Sequence, residues 1–128
     1  MGDITNTGEI WSHELELYSA STPAISNGLI YVTDCGKNLH CVDAENGKPY
    51  WTHKLQMDSW SSALVADNKV YVGSRGSDFW ILDEGKKLNV LDSKKLDSPI
   101  HSSPVAANGV LYISTMNRLY AIKQKKQP

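Results

Sequence analysis

An all-β chain of stacked four-stranded antiparallel sheets follows from three observations on the sequence. The chain repeats itself about every forty residues, with Tyr31, Tyr71 and Tyr112 in register at spacings of 40 and 41. Each repeat consists of apolar runs of four to six residues, rich in Val, Ile, Leu and aromatics and bounded by Gly, Asn, Asp and Ser. No window long enough for a helix keeps a 3.6-residue apolar period free of such breakers.

The strands follow in order. Inner strands A lie near 22–26, 62–66 and 103–107. Each leads through Asn27-Gly28, Asp67-Asn68 or Asn108-Gly109, residue types that accept the positive φ of a two-residue hairpin turn. Strands B follow at 29–33, 69–73 and 110–114. Their "LIYV", "VYV" and "VLYI" are apolar on both faces, so sheet must stack on sheet. Strands C fall at 39–43, 79–83 and 119–123, and outer strands D near 48–54 and 87–92. A further D-like segment, "GEIWSHEL", predicts an outer strand over 9–15. Four antiparallel strands per forty residues is the arithmetic of a β-propeller blade. The predicted organisation is one partial propeller over 1–128, with blade repeats 20–54, 60–92 and 101–123 and a disordered tail at 124–128.

Composition excludes several functions. Thirteen basic and 14 acidic residues are spread evenly for a net charge of −1, so no basic stripe exists to track a phosphate backbone, and nucleic acid is not an expected partner. No apolar run approaches the ~18 residues of a membrane span, so no membrane insertion is expected. The basic "KQKK" near the C-terminus reads as a solvated end. Cys35 and Cys41 are neither vicinal nor in a C-x-x-C pair. His13 and His53 recur in "WSHEL" and "WTHKL", a blade apart and without a carboxylate at matching spacing, so no metal site is expected. No G-x-S-x-G, P-loop or dinucleotide fingerprint is present, and no catalytic residue is assigned.

An Asp stands eight residues before a Trp twice, Asp3 before Trp11 and Asp43 before Trp51. This pattern in "VDAENGKPYW", with "SSPVAANGVLYIST", resembles the pyrroloquinoline-quinone-like (PQQ-like) propeller repeat and its tryptophan-docking motif. The resemblance covers Asp3 to Lys123. It implies that Trp11 and Trp51 are docking rings at blade seams, with Asp43 capping the turn and Gly47 as the turn glycine. Cys41 and Ala121 then take the small position that receives an indole. The middle copy departs, with Ile81 at the small position and Leu91 where the third Trp is expected, which predicts ordinary aliphatic packing at that seam. Gly8 is displaced by one from the place of Gly47, and the last copy has Lys123 for the Asp.

The last copy also lacks a D strand, while the chain opens with a spare one. Two chains closing reciprocally into six blades, each "GEIWSHEL" on the partner's "LYAIK", satisfy both ends. A C-terminal piece of a larger propeller satisfies them too, and Met1 falls inside a repeat. Self-association, including a homodimer closing a propeller, is therefore expected beside a protein partner.

Enzymes of the family hold PQQ with a Ca²⁺ bound by Glu, Asn and Asp oxygens, an Asp base and often a vicinal Cys-Cys cap. This chain has no Cys-Cys pair and no acid–amide cluster outside turns, so no cofactor is expected. PQQ with Ca²⁺ enters only under the alternative that the chain is part of a quinoprotein dehydrogenase. The leading reading is a non-catalytic binding and scaffold module, a C-terminal fragment of a longer protein that self-associates, similar to the lipoprotein subunit of the outer-membrane β-barrel assembly machinery. A ligand-sensing domain of a secreted or membrane protein is a second alternative. The resemblance implies a periplasmic or extracellular setting.

Loops joining D to A and B to C share one propeller face, where family sites lie. This places Trp60, His101, Asp34, Lys37, Arg75, Asp78, Asn117 and Arg118 together as a candidate binding face. Trp60 is the strongest member, because an indole exposed in a loop is unusual.

Overall fold

The computed structural model describes residues 8–123. Among the described residues eleven strands form three antiparallel sheets, and the chain is a partial β-propeller. The first blade runs β1 (Ala24–Ser26), β2 (Leu29–Asp34), β3 (Asn38–Asp43) and β4 (Pro49–Lys54), with neighbours paired in that order. The second is β5 (Leu64–Ala66), β6 (Lys69–Gly73), β7 (Asp78–Asp83) and β8 (Val90–Lys95). The third has three strands, β9 (Val105–Ala107), β10 (Val110–Ser114) and β11 (Leu119–Lys123).

The hairpin turns form as their residues dictate. Asn27 and Gly28 have φ of 50° and 75°, Asp67 and Asn68 51° and 60°, Asn108 and Gly109 53° and 76°. Paired positive φ values match the right-handed twist of the flanking strands. The three repeat tyrosines share one register: Tyr31 lies opposite Ala24 and Cys41, Tyr71 opposite Leu64 and Ile81, Tyr112 opposite Val105 and Ala121.

Three boundaries differ from the sequence expectation, each for a local reason. The inner strands begin two residues late. The N–H of Thr22 donates to Ser62 Oγ in the next blade at 2.9 Å, and that of Ser62 to Ser103 Oγ at 2.8 Å, so these residues stitch blades instead of extending a ladder. The outer strand of the second blade sits at Val90–Lys95 because its C–D loop is one residue longer. Val42 pairs with Pro49, whereas Leu82 pairs with Val90. The register partner of Ile81 is consequently Asp92, not Leu91, which falls in the bulge and is exposed. Residues 9–15 belong to none of the three sheets, since the C strands β3 and β7 already carry β4 and β8 on their outer edges. Residues 124–128 lie outside the described residues.

Blades stack through two apolar seams. Between the first and second, Leu29, Tyr31, Leu39, Cys41 and Trp51 meet Leu55, Ala63, Val70, Val72 and Leu82. Between the second and third, Phe79, Ile100 and Ile113 form the buried centre, with Tyr71, Ile81, Leu96, Leu111 and Tyr120 around it. No tryptophan and no Leu91 enters that second seam. Burial of each large side chain here stabilises the stack by roughly 1.5–3 kcal/mol.

Candidate binding face

The B–C turns are built on one side chain each, at equivalent places. Asp34 Oδ1 accepts from the N–H of Gly36 at 2.8 Å and of Asn38 at 3.2 Å. Ser74 Oγ accepts from Gly76 N–H at 3.0 Å. Thr115 Oγ1 accepts from Asn117 and Arg118 N–H at 3.3 and 3.0 Å. These acceptors hold tight turns in which Lys37 and Ser77 adopt φ of 72° and 71°. Each turn is also tied to the incoming D–A segment by a backbone bond: Cys35 N–H to Tyr18 O, Arg75 N–H to Asp58 O, Met116 N–H to Pro99 O, at 2.8, 2.9 and 3.0 Å.

A carboxylate locks every one of these junctions, from a different sequence position each time. In the first blade Asp34 Oδ2 takes Glu16 N–H at 3.2 Å and His40 Nε2 at 2.5 Å. In the second, Asp78 Oδ2 takes Gln56 N–H at 3.1 Å and the Trp80 indole N–H, while Oδ1 takes the Ser74 hydroxyl. In the third, Asp97 Oδ1 takes the Thr115 hydroxyl at 2.9 Å and the Tyr120 hydroxyl at 2.8 Å. His40, Trp80 and Tyr120 are structurally equivalent, so one ring donor per blade meets one carboxylate per blade. Burial pushes the Asp34 carboxyl up, but His40, Glu16 N–H and Asn38 outweigh it and hold the group below its ordinary range. Asp34 and Asp78 are therefore buried turn locks, with their oxygens committed inside the fold.

Trp60, Arg75 and His101 come together at the surface. The Arg75 guanidinium lies 4.0 Å from the centre of the Trp60 ring, and His101 sits 5.5 Å away on a tilted plane. Asp58 holds Arg75 in place through two hydrogen bonds, Nε to Oδ1 at 3.1 Å and Nη2 to Oδ2 at 2.8 Å. That pairing raises the Arg75 pKa further. The indole remains 42% exposed, and Tyr18 beside this cluster is also exposed. Lys37, Asn117 and Arg118 stand exposed on B–C turns without joining it. Asp58 and Tyr18 were not singled out by sequence. Their signal is positional, since both stand one D–A segment ahead of a B–C turn, at a spacing of forty.

Of the docking-motif residues, Trp51 and Cys41 lie in the first seam, and Trp11 rests on the turn that carries Asp43 and Gly47. Trp11 Nε1 donates to Ala44 O at 3.0 Å, and its ring covers Gly47, where an added Cβ would collide with the ring carbons. Trp51 Nε1 donates to Gly85 O at 2.9 Å. Asp43 caps its turn, accepting from Glu45 and Asn46 N–H at 2.8 and 3.3 Å and from the Tyr50 hydroxyl at 2.7 Å. Cys41 is buried under Trp51, and burial pushes its thiol up to about 11. Ala121 lies exposed on β11. His13 and His53 each pack edge-on against the next blade's ring, His40 at 5.1 Å and Trp80 at 4.5 Å.

The residues do not fit a Ca²⁺-assisted quinone site. The acid–amide group that comes nearest is Glu16, Asp34 and Asn38. Its Asp34 oxygens are filled by N–H donors, and the Lys54 ammonium already bonds Gly36 O at 2.9 Å and Asn38 Oδ1 and Glu16 Oε2 at 3.3 and 3.4 Å. Among the described residues no group of three or more His, Cys, Asp or Glu is placed to hold a metal. Cys35 and Cys41 are separate free thiols.

Repeated blades, tryptophan-covered turns and a rigid loop face define a propeller of the PQQ type. The family described as "Outer membrane protein assembly factor BamB" matches residues 3–125, and the chain belongs to that family. Among solved structures it is similar to BamB from Moraxella catarrhalis, with a TM-score of 0.76, 19% identity, and coverage of 89% of this chain and 36% of that one. It is similar also to the quinohemoprotein alcohol dehydrogenase ADHIIG from Pseudomonas putida HK5, with a TM-score of 0.71, 22% identity, and coverage of 81% and 18%. The quinohemoprotein alcohol dehydrogenase of Comamonas testosteroni gives 0.65, 20%, 76% and 17%. At these identities the likeness concerns the fold, and the chain spans about a third or less of each structure's length. No curated protein matches the chain.

Proposed function

We propose that this chain is a non-catalytic binding and scaffold module that presents its B–C and D–A loop face to a protein partner. The role is of the kind named by the family's description, an outer membrane protein assembly factor. One observation carries the reading: Trp60 is exposed yet held rigid, stacked under an Arg75 that Asp58 fixes in a two-point grip. Aromatic and arginine anchors ordered before contact lose little entropy on binding and dominate interface energetics. The neighbouring acids support it from the other side, because Asp34 and Asp78 are consumed by the fold.

The test is affinity capture with the chain and its Trp60→Ala variant, followed by measured affinity for whatever is retained. A partner bound by the parent and weakened about tenfold or more in the variant, at unchanged unfolding midpoint, is the expected result. A partner held equally by both overturns the loop-face reading. The dehydrogenase alternative makes a separate forecast, a quinone absorbance change and Ca²⁺-dependent dye reduction on adding PQQ.

A further inference from the structure

The sequence repeats His13 and His53 a blade apart, but the fold brings His13 to His40 instead. The two meet across the joint between segment 8–18 and β3 of the first blade. His13 Nε2 lies 3.2 Å from His40 Nδ1, and the ring centres are 5.1 Å apart. The other nitrogen of His40, Nε2, lies 2.5 Å from Oδ2 of the fully buried Asp34. That carboxylate already accepts the backbone N–H groups of Glu16 and Gly36, so it is the acceptor toward His40 as well. It fixes the His40 proton on Nε2 and leaves the lone pair on Nδ1, the nitrogen that faces His13.

This is the spacing of two ligands on one ion. Imidazole nitrogens held at about 2.0–2.1 Å by a tetrahedral ion stand about 3.3 Å apart, with ring centres about 5.2 Å apart. A carboxylate on the far nitrogen is the usual outer partner of a ligating histidine, because it sets the tautomer and raises the basicity of the ring. A cavity of about 440 Å³ opens on His40, with Glu14 and Glu16 on its wall, and gives an ion entry and room for bound water. The equivalent joint of the second blade, where His53 packs on Trp80, cannot do the same. The ring nitrogen of Trp80 is a donor only, and it is turned to Asp78.

We propose that His13 Nε2 and His40 Nδ1 form a two-histidine site for a divalent transition-metal ion, which bridges segment 8–18 and β3. The ion takes the place of the hydrogen between the two nitrogens. Two metal–nitrogen bonds form, and the proton on His13 Nε2 passes to Nδ1 of the same ring, so none is lost. Water fills the remaining positions, since the described residues hold no group of three or more His, Cys, Asp or Glu placed around one ion. Imidazole donors rank copper(II) above nickel(II) and zinc(II). Calcium, which takes oxygen ligands, is excluded by the same donors. The inference does not rest on the Trp60 reading, whose residues lie on the loop face.

Calorimetric titration of the intact chain with copper(II), nickel(II) or zinc(II), each alone, tests it, with electron paramagnetic resonance to count the nitrogens on copper. One equivalent of copper should bind with a micromolar dissociation constant, more tightly than the other two ions, and show the splitting of two nitrogens. His13→Gln should weaken copper binding about tenfold or more and leave the splitting of one nitrogen. Residue 13 lies outside the three sheets, so this variant spares them. His40→Trp installs the second blade's residue, which keeps a ring donor for Asp34 and removes the lone pair, and should weaken binding by at least as much. His53→Gln should leave the affinity unchanged. Millimolar binding only overturns the proposal, as does affinity that either His13→Gln or His40→Trp leaves intact, or affinity that His53→Gln removes.

Discussion

The indole N–H of Trp51 donates to the carbonyl of Gly85 in the next blade at 2.9 Å, while the N–H of the same glycine donates to the Tyr31 hydroxyl at 2.9 Å. Two aromatic rings of one blade thus grip both polar groups of one peptide residue in its neighbour. Tyr31 is fully buried, and burial raises its pKa. Trp51→Phe keeps most of the apolar contact and leaves the Gly85 carbonyl with only the weak Cys41 thiol donor at 3.7 Å, for an expected loss of about 1–2 kcal/mol. Trp51→Ala also opens a cavity and costs about 3–5 kcal/mol. Urea unfolding measures both, and equal stability of the Phe variant and the parent would remove the hydrogen bond from the account.

Gly47 and Gly28 share a backbone conformation, φ of 74° and 75°, yet differ in surroundings. A Cβ at Gly28 meets nothing within 4 Å, whereas at Gly47 it runs into the Trp11 ring. Alanine at Gly28 therefore carries only the backbone strain, about 1 kcal/mol. Alanine at Gly47 adds displacement of the indole from the seam, and the expected loss is at least about twice as large. Trp11 fluorescence in a background lacking the other tryptophans should shift toward that of a solvated indole in G47A alone. A common, equal loss at both glycines would refute the idea that Trp11 rests on that turn.

Acid should destabilise the fold in two stages. Burial lowers the pKa of His53, whose Nε2 is buried without a hydrogen-bond partner among the described residues, and burial with the nearby His40 lowers that of His13. A depressed histidine binds more protons unfolded than folded, so stability starts to fall as pH drops below the ordinary imidazole value of about 6.5 and stops falling below the folded values. The Asp34 carboxyl is also depressed, so its contribution is complete above the ordinary value of about 3.9 and is lost as pH falls through the folded one. His53→Phe keeps a ring against Trp80 and removes the titrating group. The expected outcome is a flatter stability profile between about pH 7 and 5 with the lower limb unchanged. An unaltered upper limb in that variant would assign the effect elsewhere.

What the sequence made legible was local. Asn-Gly and Asp-Asn at 27–28, 67–68 and 108–109 carry their turn geometry in their own φ preferences, and the aligned tyrosines follow from the turns. Leu91 was misplaced because a one-residue lengthening of a loop leaves no chemical mark, yet it turns every later side chain of that strand by one position. The carboxylate locks were hidden for a different reason. Positions 34, 78 and 97 do not align, so Asp34 and Asp78 read alone resembled loop-face residues and Asp97 carried no signal at all. The constant feature was the ring donor, His40, Trp80 and Tyr120 at intervals of forty. Three chemically different rings share little but a polar hydrogen, which pattern-matching by residue type does not register.

The two seams are unequal, one with ten buried residues across it and the other with three. In a stack where each unit touches only its neighbours, cooperativity is no stronger than its weakest joint. The three repeats have an order of disassembly written into them: the third peels away first, and the first two leave together.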